Sequence, residues 1–246
     1  MKNNLLSVFI FLLAVSVMIT AGCKSPTTTA NGTPPTETPK PAEKPKEDAA
    51  PTIQYENPAM LDSGLATKTS PDVYKVKLET TQGDMVFEIN RKWSPRGADR
   101  FYNMVDIGYF NDVVIFRAME GFMFQFGIHG DPNVNAEWGE SKLIDDMRNP
   151  KIKNVPGMLT FAKTGRPNSR SVQMFVNLGD NSASLDKQGF TPFGKIVEGE
   201  EVMTKINTQY GNSPSDHQGP FQEGGNKYIL SNFPNLDLIK SASFVN

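Results

Sequence analysis

Cysteine and histidine are scarce in this chain of 246 residues: Cys23 is its only cysteine, and His129 and His217 are its only histidines. A structural zinc site takes four ligands, mostly Cys and His, and a disulfide needs two cysteines, so the composition argues against both. An excess of charge of one sign is also lacking. The formal net charge is −2 at pH 7, which offers no basic surface to nucleic acid. We therefore expect neither a metal nor a nucleic-acid partner.

The N-terminus carries the pattern of a targeting signal, which we place at residues 1–22. Lys2 supplies the positive charge, and the uncharged run from Leu5 to Ala21 is shorter than the roughly 20 residues of a transmembrane helix. Residues Thr20 to Cys23 resemble a bacterial lipobox, in which the cysteine is lipidated, although Thr20 stands where an aliphatic residue is usual. An ordinary secretory peptide and a retained membrane anchor are the alternatives.

Lipidation of Cys23 predicts a lipoprotein anchored to a bacterial membrane at the cell envelope. Three acyl chains, for example palmitoyl chains, would anchor the protein stably to the membrane, whereas a single chain binds only marginally. Lys24 is not the aspartate that favours inner-membrane retention, so the outer membrane or its periplasmic face is preferred. In each alternative the rest of the protein works outside the cytoplasm.

Residues 23–70 have the composition of a disordered tether that follows the cysteine. The stretch from Lys24 to Pro51 is rich in proline and threonine and has no aromatic or large aliphatic residue. Such a segment cannot bury enough surface to offset the entropy of ordering it. Proline keeps it extended, so it would hold a domain away from the membrane. A cell-wall or partner-binding role for this run is the alternative.

Residues 71–246 have the pattern of a mainly β domain. Val73–Glu79 alternates in polarity, and Met85–Ile89 follows a turn at Gln82-Gly83-Asp84, which indicates a β-hairpin. Ser94 as N-cap and Pro95 as first residue open a predicted helix. Further strands are predicted at 113–117, 122–126, 158–162, 173–178 and 193–197, and a second helix at about 200–208. Many short strands with two helices predict a closed antiparallel β-barrel with capping helices.

The most informative stretch runs from Phe116 to Gly127. It places Arg117 before an apolar strand that Gly121 is expected to break, so that Arg117, Phe122, Met123 and Gln125 can surround one shallow pocket. This arrangement contains an arginine, a glutamine and apolar side chains, but no nucleophile. It suits a reaction in which no covalent bond is made or broken.

This stretch resembles the central motif of the cyclophilins, the prolyl cis/trans isomerases, whose pattern is Phe-x-Arg-x-x-x-Gly-Phe-Met-x-Gln-x-Gly. Three further blocks resemble the family in the same order, so the resemblance covers about residues 73–208: Gly157–Ala162, Asn168–Asn177, and Leu185-Asp186 with Phe193–Gly199. The resemblance implies a closed eight-stranded antiparallel β-barrel capped by two α-helices. It also implies isomerisation of X–Pro bonds with no metal, nucleotide or redox cofactor.

The resemblance assigns roles to ten residues of the domain. Arg117, assisted by Gln125, would donate to the proline nitrogen when the amide twists, because conjugation is then lost and a lone pair appears. The remaining substrate-binding positions are Phe122, Met123, Phe175 and Leu185 around the proline ring, Gln125 and Gln173 on the peptide backbone, Ala162 and Lys163 along the groove, and Phe190 at the pocket edge. Phe190 stands where the family has histidine or tyrosine, and Lys163 where many members have asparagine.

Other interpretations of these residues stay open at this stage. Phe122, Met123 and Phe175 could be barrel core, and Gln125 and Gln173 could satisfy buried backbone groups. A binding module or chaperone holdase could keep the proline pocket without turnover, and a stalked domain could serve as an adhesin. Under the isomerase hypothesis the partners are proline-containing polypeptides of exported proteins, and we expect a monomer.

Two segments depart from compact cyclophilins. Residues 130–146 are expected to form a long loop that borders the substrate groove. His129 and Asp131 lie there, but two ligands without a third argue against a metal site. An extension begins at about residue 210, and its apolar end predicts a closing strand after Pro234 that packs onto the barrel.

Overall fold

The computed structural model describes residues 54–245. The predicted signal peptide, Cys23 and most of the predicted tether lie outside these residues. Within the part described, no helix is long and apolar enough to span a membrane.

A nine-stranded antiparallel sheet, curled into a half-barrel, forms the frame of the domain. Its order is β3-β9-β1-β2-β8-β6-β7-β5-β4. The strands are β1 (Val73–Thr80), β2 (Gly83–Asn90), β3 (Val113–Val114), β4 (Arg117–Met119), β5 (Met123–Phe126), β6 (Met158–Phe161), β7 (Met174–Asn177), β8 (Pro192–Glu198) and β9 (Leu238–Val245).

The sheet has nine strands where the resemblance implied eight, because one predicted strand is divided. The stretch expected to be one strand at 113–117 is divided into β3, which pairs with β9, and β4, which pairs with β5. These two short strands stand at opposite ends of the strand order, although only Ile115 and Phe116 separate them in the chain. The segment 113–119 therefore pairs with β9 through its first part and with β5 through its last part.

The first hairpin forms as predicted, with β1 paired antiparallel to β2. Val76 and Leu78 of β1 face the core together with Phe87 and Ile89 of β2, and all four side chains are fully buried. Their alternation with more exposed residues follows from the two-residue period of a strand. The predicted mainly antiparallel β architecture is confirmed.

Helix α1 (Pro95–Asp106) begins where the sequence predicts, but its cap differs from the expected one. Ser94 makes no side-chain hydrogen bond to the helix; its hydroxyl donates instead to Asp146. The Asp146 carboxylate accepts from the main-chain N–H groups of Arg96 and Gly97, each at 3.0 Å. A distant residue thus satisfies the free N–H groups of the first turn.

The folded region starts before residue 70, so the prediction for the last part of the tether needs correction. Two short 3₁₀ helices, Pro58–Met60 and Ser63–Leu65, lie in this segment. Ala59 and Met60 are buried, and the Trp138 indole N–H donates to the Ala59 carbonyl at 3.0 Å. These apolar anchors were missed because they follow a long proline-rich run.

Helix α2 (Pro132–Glu140) replaces much of the loop predicted at 130–146. Asp131 is its N-cap and accepts from the Asn133 N–H at 2.8 Å, with Pro132 at the first helical position. His129 and Asp131 are used locally, because His129 Nδ1 accepts from the Asp131 main-chain N–H at 2.9 Å. Among residues 54–245, no group of three metal-binding side chains is found.

The C-terminal part holds four short helical segments, one kinked helix and the last strand. The second predicted helix is a 3₁₀ helix, Glu200–Lys205, rather than an α-helix. After α3 (Ser182–Leu185), the extension contributes α4 (Gln218–Asn232), which is interrupted at Gly225. The predicted closing strand is confirmed as β9, which lies between β1 and β3.

Acidification should destabilise the protein through His129. Desolvation by burial lowers the pKa of His129 to about 4, against the partly offsetting influence of Asp131 and Asp112. Between about pH 6.5 and 4, His129 is therefore protonated in the unfolded chain but mostly neutral in the folded one. The free energy of unfolding falls as the pH drops through this window. We expect a loss of about 3 kcal/mol over this window.

Urea unfolding at pH 7 and pH 4 would measure this loss, with His129→Asn as the matched variant. Asparagine keeps an acceptor for the Asp131 N–H but cannot be protonated in this range. The variant should lose less stability on acidification than the wild type. Equal losses in the two proteins would contradict the assignment to His129.

Candidate functional site

Arg117 and Gln125 lie directly opposite each other on the neighbouring strands β4 and β5. Directly paired residues of an antiparallel sheet project to the same face, so the two side chains meet. Gly121 makes the reversal between the strands with φ of +67°, a region that favours glycine. The predicted break at Gly121 is confirmed.

Three glutamine side chains extend a row of hydrogen bonds from Arg117. Arg117 Nη1 donates to Gln125 Oε1 at 3.2 Å, and Gln125 Nε2 donates to Gln173 Oε1 at 2.8 Å. Gln173 Nε2 then donates to Gln218 Oε1 at 3.0 Å. The first three members were predicted as site residues, whereas Gln218 was not. It lies after residue 208, where the motifs that resemble cyclophilins end.

An apolar cluster lies beside this row and is separate from the main core. Met123, Phe175 and Leu185 form its buried centre, at 2%, 4% and 8% exposure. Phe190 packs edge-on against Phe175, with ring centroids 5.8 Å apart. The partly buried members of the cluster are Met119, Phe122, Ala162 and Phe190. The apolar residues are therefore well packed without belonging to the barrel core.

The row and the cluster enclose one pocket of about 170 Å³. Gln218 lines it together with nine of the ten predicted positions, namely Arg117, Phe122, Met123, Gln125, Ala162, Lys163, Phe175, Leu185 and Phe190. The tenth, Gln173, is joined to the lining through its bonds to Gln125 and Gln218. The structure thus brings every predicted domain residue to one place.

The charge of Arg117 has no carboxylate partner among residues 54–245. Its guanidinium contacts Gln125, the sulfur of Met119 at 3.4 Å, and the face of the Phe122 ring, whose centroid is 5.8 Å from Cζ. Desolvation by burial lowers the pKa of Arg117, but arginine stays charged at neutral pH. A donor-rich cation therefore faces an apolar pocket without being neutralised.

Two amide side chains, that of the buried Asn154 and that of the half-buried Asn181, hold the pocket wall from behind. Asn181 Nδ2 donates to the Phe122 carbonyl at 2.8 Å, and Asn154 Nδ2 donates to the Phe190 carbonyl at 2.9 Å. Asn154 also donates to Asp186, the neighbour of Leu185 in the chain. The sequence analysis did not predict a role for Asn154 or Asn181. The only related signal in the sequence was the Leu185-Asp186 motif, because Asp186 accepts from Asn154.

Two larger cavities, of about 890 and 600 Å³, lie elsewhere among the described residues. The largest is lined by residues 54–58 and by the segments around Asp112 and Asp131. Size alone does not identify a site, and neither cavity is lined by Arg117 or by the apolar cluster beside it. The smaller pocket at Arg117 has the chemically distinctive lining.

Comparison with known proteins gives the same family. The model of "Cyclophilin type peptidyl-prolyl cis-trans isomerase/CLD" matches residues 75–223. A peptidyl-prolyl cis-trans isomerase of Acinetobacter baylyi is 29% identical over 150 residues, which cover 60% of this chain and 77% of that protein. Peptidyl-prolyl cis-trans isomerase B of Escherichia coli is 28% identical over 53% of this chain and 82% of its own length.

Solved structures support the fold. A cyclophilin-type peptidyl-prolyl cis-trans isomerase of Cryptosporidium parvum superposes with a TM-score of 0.54 at 21% identity, covering 71% of this chain and 98% of that chain. The same protein in the presence of the dipeptide Ala-Pro gives a TM-score of 0.51 at 20% identity, with 70% and 99% coverage. The family match spans more than half of this chain and includes Arg117 and most of the pocket lining. The chain belongs to the cyclophilin-type peptidyl-prolyl cis-trans isomerases.

Proposed function

We propose that this isomerase acts on X–Pro bonds of exported proteins, with Arg117 stabilising the twisted amide. The uncatalysed rotation faces a barrier of about 18–20 kcal/mol, because the C–N bond is partly double. At the twisted state the proline nitrogen gains a lone pair that neither planar ground state has. A donor aimed at this lone pair binds the transition state selectively and so lowers the barrier.

The uncompensated charge of Arg117 is the observation that carries this proposal. A guanidinium has five N–H donors, and the bonds to Gln125 and Met119 use one donor each of Nη1 and Nη2. Donors are therefore left for a substrate. The bond that Arg117 Nη1 donates to Gln125 Oε1 restricts the guanidinium plane, which supports a preorganised donor rather than a mobile one.

The apolar cluster supplies the proposed seat for the proline ring. Met123, Phe175 and Leu185 form the floor, while Phe122 and Phe190 stand at the sides. The related Cryptosporidium parvum structure was determined in the presence of Ala-Pro, which is consistent with a proline ring at such a seat. The mechanism needs no nucleophile, metal or general base.

Exchange NMR on a short X–Pro peptide would test the activity directly. Purified protein at catalytic amounts should accelerate cis/trans exchange at both isomers without changing their equilibrium ratio. Slow uncatalysed exchange, tens to hundreds of seconds, gives a clear baseline. No acceleration by folded protein would leave only a role in binding proline-containing segments.

We also propose that residues 1–22 are a signal peptide and that lipidated Cys23 anchors the domain at a bacterial envelope. The support is the sequence pattern, since these residues lie outside the described region. The segment predicted as a proline-rich tether would hold a monomeric domain away from the membrane, where it could meet unfolded clients, because a proline-rich chain is expected to stay extended.

Metabolic labelling with an alkyne fatty acid would test the anchor. Wild type should take up the label and partition with membranes, whereas Cys23→Ser should take up no label. Ser25→Ala serves as a control beside the modified position. Labelling that persists in Cys23→Ser would refute the predicted site.

A further inference from the structure

The row of glutamines reaches into the C-terminal extension, where Gln218 is the first residue of α4. We propose that Gln218 is a positioning residue of the isomerase site, acting on Arg117 through Gln173 and Gln125. The inference rests on the proposed role of Arg117. It gives the extension a function in catalysis beyond covering the outside of the sheet.

Donor and acceptor chemistry fixes the direction of the whole row. A guanidinium has donors only, so Gln125 must present its oxygen to Arg117 and is left with its NH₂ group. Gln173 must then present its oxygen to Gln125, and its own NH₂ group needs an acceptor. Gln218 Oε1 is that acceptor at 3.0 Å. Turning over the carboxamide of Gln125 or Gln173 would oppose like groups at two contacts, and turning over that of Gln218 would do so at one.

The extension holds Gln218 firmly in place. Phe221, one turn further along α4, is fully buried and packs against Phe116, the neighbour of Arg117, with ring centroids 6.1 Å apart. The Asn226 main-chain N–H donates to the Gly130 carbonyl at 3.0 Å. Helix α4 is thus attached to the sheet on the side of the strand that carries the arginine.

The kink in α4 permits this close attachment. Gly225 has φ of +59°, and a Cβ placed there would lie 2.1 Å from the Gly130 carbonyl oxygen. Only glycine fits such an approach, since it has no side chain and tolerates a positive φ. The extension is therefore shaped to bring its helix start to the pocket.

Gln218 affects the reaction by restricting side-chain rotation. Gln173 is partly exposed, and without an acceptor for its NH₂ group its carboxamide is free to turn over and stop accepting from Gln125. Gln125 and the guanidinium then lose their defined orientation. Loss of one neutral hydrogen bond of about 1 kcal/mol corresponds to about a fivefold change in rate.

Four single variants and one double variant separate positioning from a general structural role. Gln218→Met keeps the length but removes the acceptor, and should lower kcat/KM about fivefold. Gln218→Glu keeps an oxygen acceptor and should stay within about twofold of wild type. Gln222→Met makes the same change one turn away on an exposed part of α4 and should have no effect. The double variant Gln173→Met/Gln218→Met should have the same kcat/KM as Gln173→Met alone, because the row of hydrogen bonds is already interrupted at Gln173.

A readout that does not depend on activity completes the test. The side-chain NH₂ resonances of Gln173 should shift in Gln218→Met and remain near their wild-type positions in Gln218→Glu and Gln222→Met. Unchanged resonances together with unchanged kcat/KM in Gln218→Met would overturn the proposal, as would fully additive losses in the double variant. If Arg117→Ala abolished activity while Gln218→Met did not reduce it, this inference would fail and the role of Arg117 would stand.

Discussion

Replacing Arg117 with alanine is expected to lower kcat/KM for X–Pro isomerisation by about 10²–10³-fold. Removal of a preorganised donor that acts on charge developing in the transition state typically has this effect. The ground-state amide nitrogen has no available lone pair, so the Kd for a proline peptide should change much less. NMR exchange rates and peptide titrations on the same samples would measure both quantities.

Two further variants complete this experiment. Arg117→Lys keeps the positive charge but loses the planar fork that donates to Gln125 while facing the substrate, so it should restore only part of the activity. Arg166→Ala removes an arginine that is exposed, whereas Arg117 is half-buried, and this variant should have the wild-type kcat/KM. A wild-type rate in Arg117→Ala would exclude the donor mechanism, whereas parallel losses of binding and rate would point to a binding role.

Replacing Asp146 with alanine is expected to cost about 3–5 kcal/mol of unfolding free energy. Its carboxylate is almost fully buried and accepts from Ser94, from two N–H groups of α1 and from Arg170 Nη1 at 3.1 Å. Burial raises the pKa of Asp146, but these bonds together outweigh it and hold the pKa below its ordinary value. Without the carboxylate, the helix loses its cap and Arg170 keeps only weaker partners.

Thermal unfolding should show the loss as a fall in Tm on the order of 10 °C for a domain of this size. The double variant Asp146→Leu/Arg170→Leu removes both charges and should recover part of the stability, because no buried charge is left unpaired. Asp145 lies 3.3 Å from Arg170 Nε without hydrogen-bond geometry, so it offers limited compensation. A loss below about 1 kcal/mol in Asp146→Ala would show that Asp145 replaces it fully.

The motif from Phe116 to Gly127 shows how much of the structure a local sequence pattern can predict. The order Phe116 to Gly127 predicted two strands, the turn at Gly121 and the gathering of Arg117 with Gln125, and all of these are present. A hairpin is short-range, so its register follows from neighbouring residues. The roles in catalysis that the resemblance assigns to these residues remain predictions for the experiments above.

Errors concentrate where distant residues decide the outcome. Ser94 was expected to cap α1, yet its first N–H groups bond to Asp146, which is 50 residues from Arg96. The predicted strand at 113–117 was divided because the C-terminal β9 pairs with its first half only. Periodicity within a short window contains no information on such partners.

The sequence by itself determined the mainly β class, the first hairpin, the start of α1, the final strand and the ten residues that meet at the pocket. These features depend on local periodicity, turn chemistry and a motif whose spacing is unaffected by the rest of the chain. Only the tertiary structure decided that β9 divides the predicted strand at 113–117 and that Gln218 joins the site from 45 residues beyond Gln173. Both depend on how the extension packs, and packing between distant segments is set by complementary shape and hydrogen-bond partners that no local pattern specifies.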